Sequence, residues 1–226
     1  MADFYPMMVN LKEKLCVVIG GGAVAERKVL GLLEAGADRL VVVSPLLTEE
    51  LQRLAELRSI RHKRREYKEE DLADAFLVFA ATGNRAVNHS ISLSAAGSGV
   101  LCNVADKAEE GAFITPAVVR RGDLLLAVTS GGASPSLIAR IKRELEMNYG
   151  KELGTALPKL GLLRKQTLEK EPDEKRRHAI LKLAAQEILA YSRGESSAAE
   201  RSGSTEEEIG SWLNRLQDIA EKEHEG

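Results

Sequence analysis

The sequence is poor in several residue types, and each shortage excludes a class of protein. Its 226 residues include two cysteines, too few for a disulfide scaffold or for a zinc site built on cysteine. Only 4% of the residues are aromatic and the formal net charge is -2, whereas a general nucleic-acid binder needs stacking surfaces and a basic face. We therefore expect a protein of the reducing cytoplasm that does not bind nucleic acid.

The chain also lacks a basic leader and a long apolar segment. It begins MADFYPMMVNLKEK, with no basic residues ahead of an apolar stretch. The longest uncharged run, residues 86–105, carries Asn, His and Ser side chains, which hydrocarbon does not tolerate unpaired. We expect neither a secretion signal nor a membrane span.

Residues 15–104 alternate short β-branched runs with longer helical stretches. This alternation is typical of an α/β fold, a doubly wound parallel sheet of Rossmann type with helices on both faces. Right-handed crossovers place the first strand centrally, the second and third on one side, and the fourth and fifth on the other. The predicted strands are residues 15–20, 40–44, 59–65, 76–80 and 100–104, and the predicted helices are 23–35, 48–58 and 85–97.

The second half of the chain has a different character. Residues 112–119 and 123–129 are predicted strands around the charged turn RRGD, and amphipathic helices are predicted over 174–192 and 205–223. We predict three parts: an NAD-binding domain over residues 1–111, a small strand-containing unit over 112–148 for dimerisation and the substrate cavity, and a helical C-terminal domain over 149–226.

The sharpest local motif is CVVIGGGAVAERK, residues 16–28. Gly20, Gly22 and Ala25 fit the G-x-G-x-x-A fingerprint, directly after a predicted strand and at a predicted helix start. Gly20 permits a tight turn, and Gly22 lets backbone amides approach a pyrophosphate. The motif predicts a dinucleotide site, and a glycine-rich turn that only packs is the alternative.

The end of the second predicted strand bears on the choice of dinucleotide. It reads Val43, Ser44, Pro45, without the acid that usually holds the ribose in NAD sites and without the basic residue expected for NADP. We therefore predict NAD, held by Ser44 and by backbone groups. The predicted cofactor-binding residues are Gly20, Gly22, Ala23, Val24, Ser44, Pro45, Leu46 and Thr82.

Three stretches resemble a known family. They are YPMMVNLKEKLCVVIGGGAVAERKVLGLLEAGA, AATGNRAVNHSIS and LCNVADKAEEGAFITPAVVRRGDLLLAVTSGGASPSLIARIKRELE. Together they closely resemble the dehydrogenase, and often ferrochelatase, portion of siroheme synthases over residues 5–146. The resemblance implies a homodimer that oxidises precorrin-2 to sirohydrochlorin with NAD, and in some members inserts ferrous iron to make siroheme.

The resemblance also implies a catalytic aspartate, and the matching residue is Asp106 in the stretch NVAD. Active sites of open parallel sheets lie beyond the carboxyl ends of the strands, which is where Asp106 is predicted to lie. Dehydrogenation removes a hydride and a proton, so with NAD as hydride acceptor Asp106 is the predicted general base. Without the family, a turn or cap residue is the commoner role for such an aspartate.

A polycarboxylate substrate needs donors, and the residues predicted to contact it are Asn103, Ser134, Arg120 and Arg140. Each has a simpler alternative. Ser134 precedes Pro135 and suits a helix N-cap, the arginines suit a charged turn and a solvated helix face, and Asn103 and Asn88 could satisfy local backbone. Thr82 could likewise be a helix-entry turn residue. Family members often carry acids just after this Thr, where Gly83 and Asn84 stand here.

No resident metal is predicted, because the histidines lack the spacing of metal ligands. A ferrous or cobaltous ion enters only as a transient partner of chelation. The basic run RSIRHKRREY is predicted to be a solvated edge strand. A non-catalytic NAD(H)-sensing module is the rival function, although a sensor does not require Asp106 or the loop SGGASP. A small hydroxy-acid dehydrogenase is disfavoured because no acid/base His or Lys stands at the predicted strand ends.

Overall fold

The computed structural model describes residues 4–195 and 205–224. The chain divides into two compact units, Met1–Thr115 and Pro116–Gly226. No helix within the described ranges is long and apolar enough to cross a membrane.

The first unit is built on a five-stranded parallel sheet with the strand order β3-β2-β1-β4-β5. Both the α/β class and this strand order confirm the prediction. The strands are β1 (Leu15–Ile19), β2 (Arg39–Val43), β3 (Arg61–Lys63), β4 (Leu77–Ala80) and β5 (Leu101–Val104), and the helices are α1 (Ala23–Glu34), α2 (Glu49–Glu56) and α3 (Arg85–Ser98).

Strand β1 is apolar throughout because both faces of the sheet are covered. Successive side chains of a strand point to opposite faces. Cys16 and Val18 belong to one buried cluster, together with residues of α1, whereas Val17 and Ile19 belong to another that includes Ile91 of α3. The two clusters hold the ends of β1 and β4 in fixed places, and the candidate site lies at those ends.

The edge strand β3 departs from its predicted description. Lys63 and Arg65 are not simply solvated, because both donate hydrogen bonds to the carboxylate of Asp71 at 2.7 Å, and the side chain of Asp71 is fully buried. Burial alone would raise the pKa of Asp71, but hydrogen bonds from Arg65, Lys63 and the Lys68 amide outweigh burial and hold it well below its usual range. The prediction of a solvated edge is therefore wrong for these two charges.

The second unit contains an antiparallel pair, β6 (Ala117–Arg121) and β7 (Leu124–Val128), and several helices. The first predicted strand of this pair began too early, since Ala112 and Phe113 donate their amides to the carbonyl of Cys102 and Pro116 has no N–H to donate. The helices are α4 (Pro135–Asn148), α5 (Glu152–Lys170), α6 (Glu174–Ser192) and α7 (Glu206–His224). Buried residues of α5, α6 and α7 form one apolar cluster, which includes Leu163, Ile180 and Trp212. The prediction gave no bounds for α5.

Candidate active site

A cleft of about 1000 Å³ opens at the carboxyl ends of the parallel strands in the first unit. Parallel strands bring their carboxyl ends to one edge of a sheet, so the loops after β1, β2, β4 and β5 meet there. All eight residues predicted to bind the cofactor line this cleft, and Asp106 lines it as well. The structure therefore brings the predicted cofactor residues and the predicted base together.

The three glycines after β1 differ in what the fold demands of them. Gly20 has φ +126°, and a Cβ there would lie 2.2 Å from the carbonyl oxygen of Ala81. A Cβ at Gly21 would lie 1.9 Å from the carbonyl oxygen of Leu46. A Cβ at Gly22 would meet nothing within 4 Å. The fold itself requires glycine at the first two positions, whereas the space at Gly22 is open to a ligand.

The start of α1 offers amides to an anion. Its N-cap is Gly22, and no side chain caps the helix, whereas Thr48 caps α2 and Asn84 caps α3. The first amides of a helix have no partner within the helix, and the positive end of the helix dipole lies there. An uncapped helix start at an open glycine suits the pyrophosphate of a dinucleotide.

Two hydrogen bonds hold the loop after β2. The hydroxyl of Ser44 donates to the carbonyl of Leu46 at 2.7 Å, and Nε2 of His62 bonds the carbonyl of Ser44 at 2.9 Å. Because the donor of Ser44 is already used, a ribose hydroxyl would have to donate to Ser44 Oγ. Arg27 lines the same cleft. Arg27 was not predicted, because it lies on α1, one turn after Ala23, and not at a strand end.

Thr82 and Asn84 form the entry to α3. Asn84 is the N-cap, accepting bonds from the amides of Ala86 and Val87, so this residue has a structural role. Thr82 lines the cleft, and its hydroxyl donates to Oδ1 of Asn88 at 2.7 Å. Thr82 therefore belongs to the turn and to the cleft wall at once.

Asp106 follows β5, and its side chain is 39% exposed. Its Oδ1 accepts a hydrogen bond from Nδ2 of Asn88 at 2.9 Å, and its Oδ2 lies 3.7 Å from Nε of Arg85. A carboxylate in this position can accept a proton from a ligand in the cleft.

A second acid holds Arg85 beside Asp106. Glu110 forms an ion pair with Arg85 and also binds Nδ1 of His89 at 2.9 Å and Nζ of Lys107 at 3.1 Å. The hydrogen bond from Arg85, followed by that from His89, lowers the pKa of Glu110 to about 2. This cluster was not predicted, because its members come together only where α3 packs beside the segment that follows β5.

None of the four predicted substrate residues is among those that line the cleft. Asn103 is buried and is not among the cleft-lining residues, and its Nδ2 donates to the carbonyl of Phe113 at 2.9 Å. Ser134, Arg120 and Arg140 belong to the second unit. Ser134 caps α4, with its Oγ accepting from the amide of Leu137, and Arg140 pairs with Glu144 at 3.3 Å. Contact between these four residues and a substrate stays a prediction.

Nucleophilic cysteine chemistry is not built into this unit. Cys16 and Cys102 are free and buried, and burial raises the pKa of each thiol to about 11. Across residues 4–195 and 205–224, no group of three or more His, Cys, Asp or Glu side chains could hold a metal ion.

Comparison with known proteins finds similarity to an NAD(P)-binding family model and to siroheme synthases. Residues 7–117 match a family model described as "Putative NAD(P)-binding". The chain is 38% identical over 145 residues to a siroheme synthase of Nitrosomonas eutropha, which is 64% of this chain and 30% of that enzyme. It is 36% identical over 200 residues to siroheme synthase 3 of Aeromonas hydrophila, which is 87% of this chain and 42% of that enzyme.

A solved structure is similar over nearly the whole chain. It is that of SirC, a precorrin-2 dehydrogenase, with a TM-score of 0.71 and 27% identity. The alignment covers 95% of this chain and 100% of that one. By contrast, the chain spans less than half the length of the siroheme synthases named above.

Proposed function

We propose that the chain is a member of the precorrin-2 dehydrogenase family and that it oxidises precorrin-2 to sirohydrochlorin with NAD, on the basis of the proteins that it resembles and the geometry of the cleft. The observation that carries the proposal is the position of Asp106 in the same cleft as the uncapped glycine turn. The resemblance seen in the motifs is confirmed by these relatives. The reaction transfers a hydride to NAD⁺ and releases a proton, so the site needs a dinucleotide cradle and a base.

The cradle fits a dinucleotide on the chain's own geometry. The cleft volume is within the range of small-molecule sites, the space at Gly22 is open, and the amides at the start of α1 carry no side-chain cap. Ser44 supplies an acceptor for a ribose hydroxyl, while Pro45 and Leu46 supply an apolar wall. Bound NAD would supply the hydride acceptor.

Asp106 is the proposed base. Its carboxylate is partly exposed toward the cleft and keeps an oxygen near Arg85, while the bond from Asn88 limits its motion. A tetrapyrrole with carboxylate side chains needs hydrogen-bond donors, and Arg120, Arg140, Ser134 and Asn103 are the residues proposed to recognise it. Their role is supported by the chemistry of the substrate and by the family resemblance.

The proposal is tested with Asp106→Asn, which keeps the size of the side chain and an acceptor for Asn88. Purified wild type and variant are incubated anaerobically with precorrin-2 and NAD while NADH absorbance is followed. We expect NADH to bind both proteins equally. The variant should turn over at least about a hundred-fold more slowly, because a general base usually contributes at least this factor to the rate. Glu109→Gln, which removes a neighbouring exposed carboxylate, is the matched control and should keep the wild-type rate.

Two outcomes contradict the proposal. A wild-type protein that binds NADH but leaves precorrin-2 unchanged would favour the NAD(H)-sensing module. An Asp106→Asn variant with the wild-type rate would remove Asp106 from the reaction while leaving the dehydrogenase assignment in place.

We propose three further properties that the same family membership supports. The protein is a cytoplasmic homodimer, and its free thiols suit a reducing compartment. Chelation of sirohydrochlorin with a ferrous or cobaltous ion is a second activity. It is tested by anaerobic incubation of sirohydrochlorin with either ion, where a rate above the uncatalysed one supports it. Sedimentation of the purified chain tests the dimer.

A further inference from the structure

Asn88 is a buried polar residue on α3, 1% exposed, that lies between the end of β4 and Asp106. Its Oδ1 accepts hydrogen bonds from the amide of Thr82 at 3.1 Å and from the hydroxyl of Thr82 at 2.7 Å. Its Nδ2 donates to the carbonyl of Thr82 at 3.1 Å and to Oδ1 of Asp106 at 2.9 Å. Both acceptor positions and both donor positions of this side chain are therefore used.

The chemistry of the partners determines the orientation of this amide. The backbone N–H of Thr82 can only donate, so it must face the oxygen of Asn88. An ionised Asp106 can only accept, so it must face the nitrogen. No other standard side chain of this length offers two acceptor and two donor positions. Aspartate keeps the bonds from Thr82 but loses both donors when ionised, and leucine makes none of the four bonds.

Asp106 needs such a partner if it is to act as a base. Its side chain is partly exposed, and Arg85 lies on its other side. Without the bond from Asn88, the carboxylate would be free to rotate toward Arg85, and a base displaced by about 1 Å from its productive position loses on the order of a hundred-fold in rate. Asn88 itself is not among the residues that line the cleft.

We propose that Asn88 is a positioning residue, which holds the Asp106 carboxylate and the Thr82 end of β4 in one arrangement for the dehydrogenation. This inference rests on the proposed function. The simpler interpretation is that Asn88 only satisfies the backbone of Thr82 and that its contact with Asp106 has no effect on catalysis. The two interpretations differ in whether the hydrogen bond that Asn88 donates to Asp106 affects catalysis.

Asn88→Asp separates them, because it preserves the acceptor toward Thr82 and replaces the donor toward Asp106 by an acid. At low pH the introduced carboxyl group is protonated and can still donate to Asp106, whereas at higher pH two carboxylates would face each other. Arg85, His89, Lys107 and Glu110 surround this pair in the wild type too, so the informative quantity is the ratio of variant to wild-type kcat at each pH.

We expect the kcat of Asn88→Asp to be at least about ten-fold below that of wild type at neutral pH, with the KM for NAD changed by less than about two-fold. The deficit should shrink as the pH falls. Ile91→Val, a buried substitution on the same helix, is the matched control for lost stability and should show a ratio near one at every pH. A ratio for Asn88→Asp that is near one, or reduced but independent of pH, would overturn the inference.

A second variant keeps the inference testable if Asn88→Asp folds poorly. The exchange Asn88→Asp with Asp106→Asn restores an amide–carboxylate hydrogen bond with the partners reversed. We expect it to recover thermal stability and NADH binding relative to the single substitution, but to turn over precorrin-2 at least about a hundred-fold more slowly than wild type, because the carboxylate is now buried. An exchange variant that is no more stable than Asn88→Asp and binds NADH no better would overturn the inference, because the two side chains would then not act as a hydrogen-bonded pair.

The wild-type protein in the same assay separates the two proposals. If it does not turn over precorrin-2, the proposed function fails and the positioning role fails with it. If it turns over normally and Asn88→Asp matches it across the pH range, only the positioning role is wrong.

Discussion

Alanine substitutions at Gly20 and Gly22 should have opposite consequences, although both glycines belong to the same motif. At Gly20 the added Cβ would lie 2.2 Å from the carbonyl oxygen of Ala81, on a backbone with φ +126°. At Gly22 it would meet nothing within 4 Å, and φ is -90°, which alanine adopts freely. The first glycine is needed by the fold, whereas the second is needed only by a ligand.

The magnitudes follow from these contacts. In Gly20→Ala, the carbonyl of Ala81 must move by about 1 Å to reach van der Waals contact, and strain of this kind costs about 3 kcal/mol of folding free energy. Gly22→Ala replaces one uncapped N-cap residue by another and costs about 0.5 kcal/mol. In the same variant, a methyl group in the pyrophosphate space should raise the Kd for NADH by at least about ten-fold, or 1.4 kcal/mol.

Urea unfolding measures the stability of each variant, and a fluorescence titration with NADH measures binding. Gly31→Ala is the matched control, because Gly31 lies within α1 and its added Cβ also meets nothing within 4 Å. It should leave NADH binding unchanged and stabilise the protein by up to about 1 kcal/mol. If Gly22→Ala binds NADH as tightly as wild type, the pyrophosphate does not lie at this turn and the proposed cofactor geometry is refuted.

Three further predictions concern groups outside the glycine turn. Asp71→Leu leaves Lys63 and Arg65 without their buried partner and should lower the free energy of unfolding by about 3 kcal/mol, as measured in urea. Glu110 has a folded pKa of about 2 against an ordinary 4.5, so its contribution to stability is present above the ordinary value and is lost as the pH falls through the folded value. Unfolding curves of wild type and Glu110→Gln should therefore converge in acid, and curves that differ equally at every pH would contradict this. Because burial raises the pKa of both thiols to about 11, iodoacetamide should label Cys16 and Cys102 quickly in urea but very slowly in the native protein at pH ~8, as followed by mass spectrometry. Rapid native labelling would show that these thiols are accessible.

The sheet could be predicted from sequence because each of its central strands is a short apolar run covered on both faces. Such runs, together with the right-handed crossover rule, determine the strand order. The edge strand was harder to predict from the sequence. Its basic side chains donate hydrogen bonds to Asp71, which lies on a 3₁₀ turn eight residues after Lys63. The predicted strand does not form over residues 112–116 for a similar reason. The amides of Ala112 and Phe113 donate to the carbonyl of Cys102, and Pro116 has no N–H to donate.

The candidate site likewise has one part that the sequence predicts and another that it does not. The glycine turn is a local motif, and its strand-turn-helix context is visible in the sequence. The bond between Asn88 and Asp106 joins residues 18 apart, and the pair of Arg85 and Glu110 joins residues 25 apart. These contacts exist because α3 and β5 are adjacent in the fold, and no local pattern marks them.

The most direct measurement is the stoichiometry of one anaerobic reaction with purified protein, precorrin-2 and NAD. NADH and sirohydrochlorin are quantified together, by absorbance and by chromatography. If the cleft is a dehydrogenase site, one NADH appears for each sirohydrochlorin formed, and neither appears without the protein or without NAD. Tight binding of NADH with precorrin-2 left unchanged would contradict the assignment.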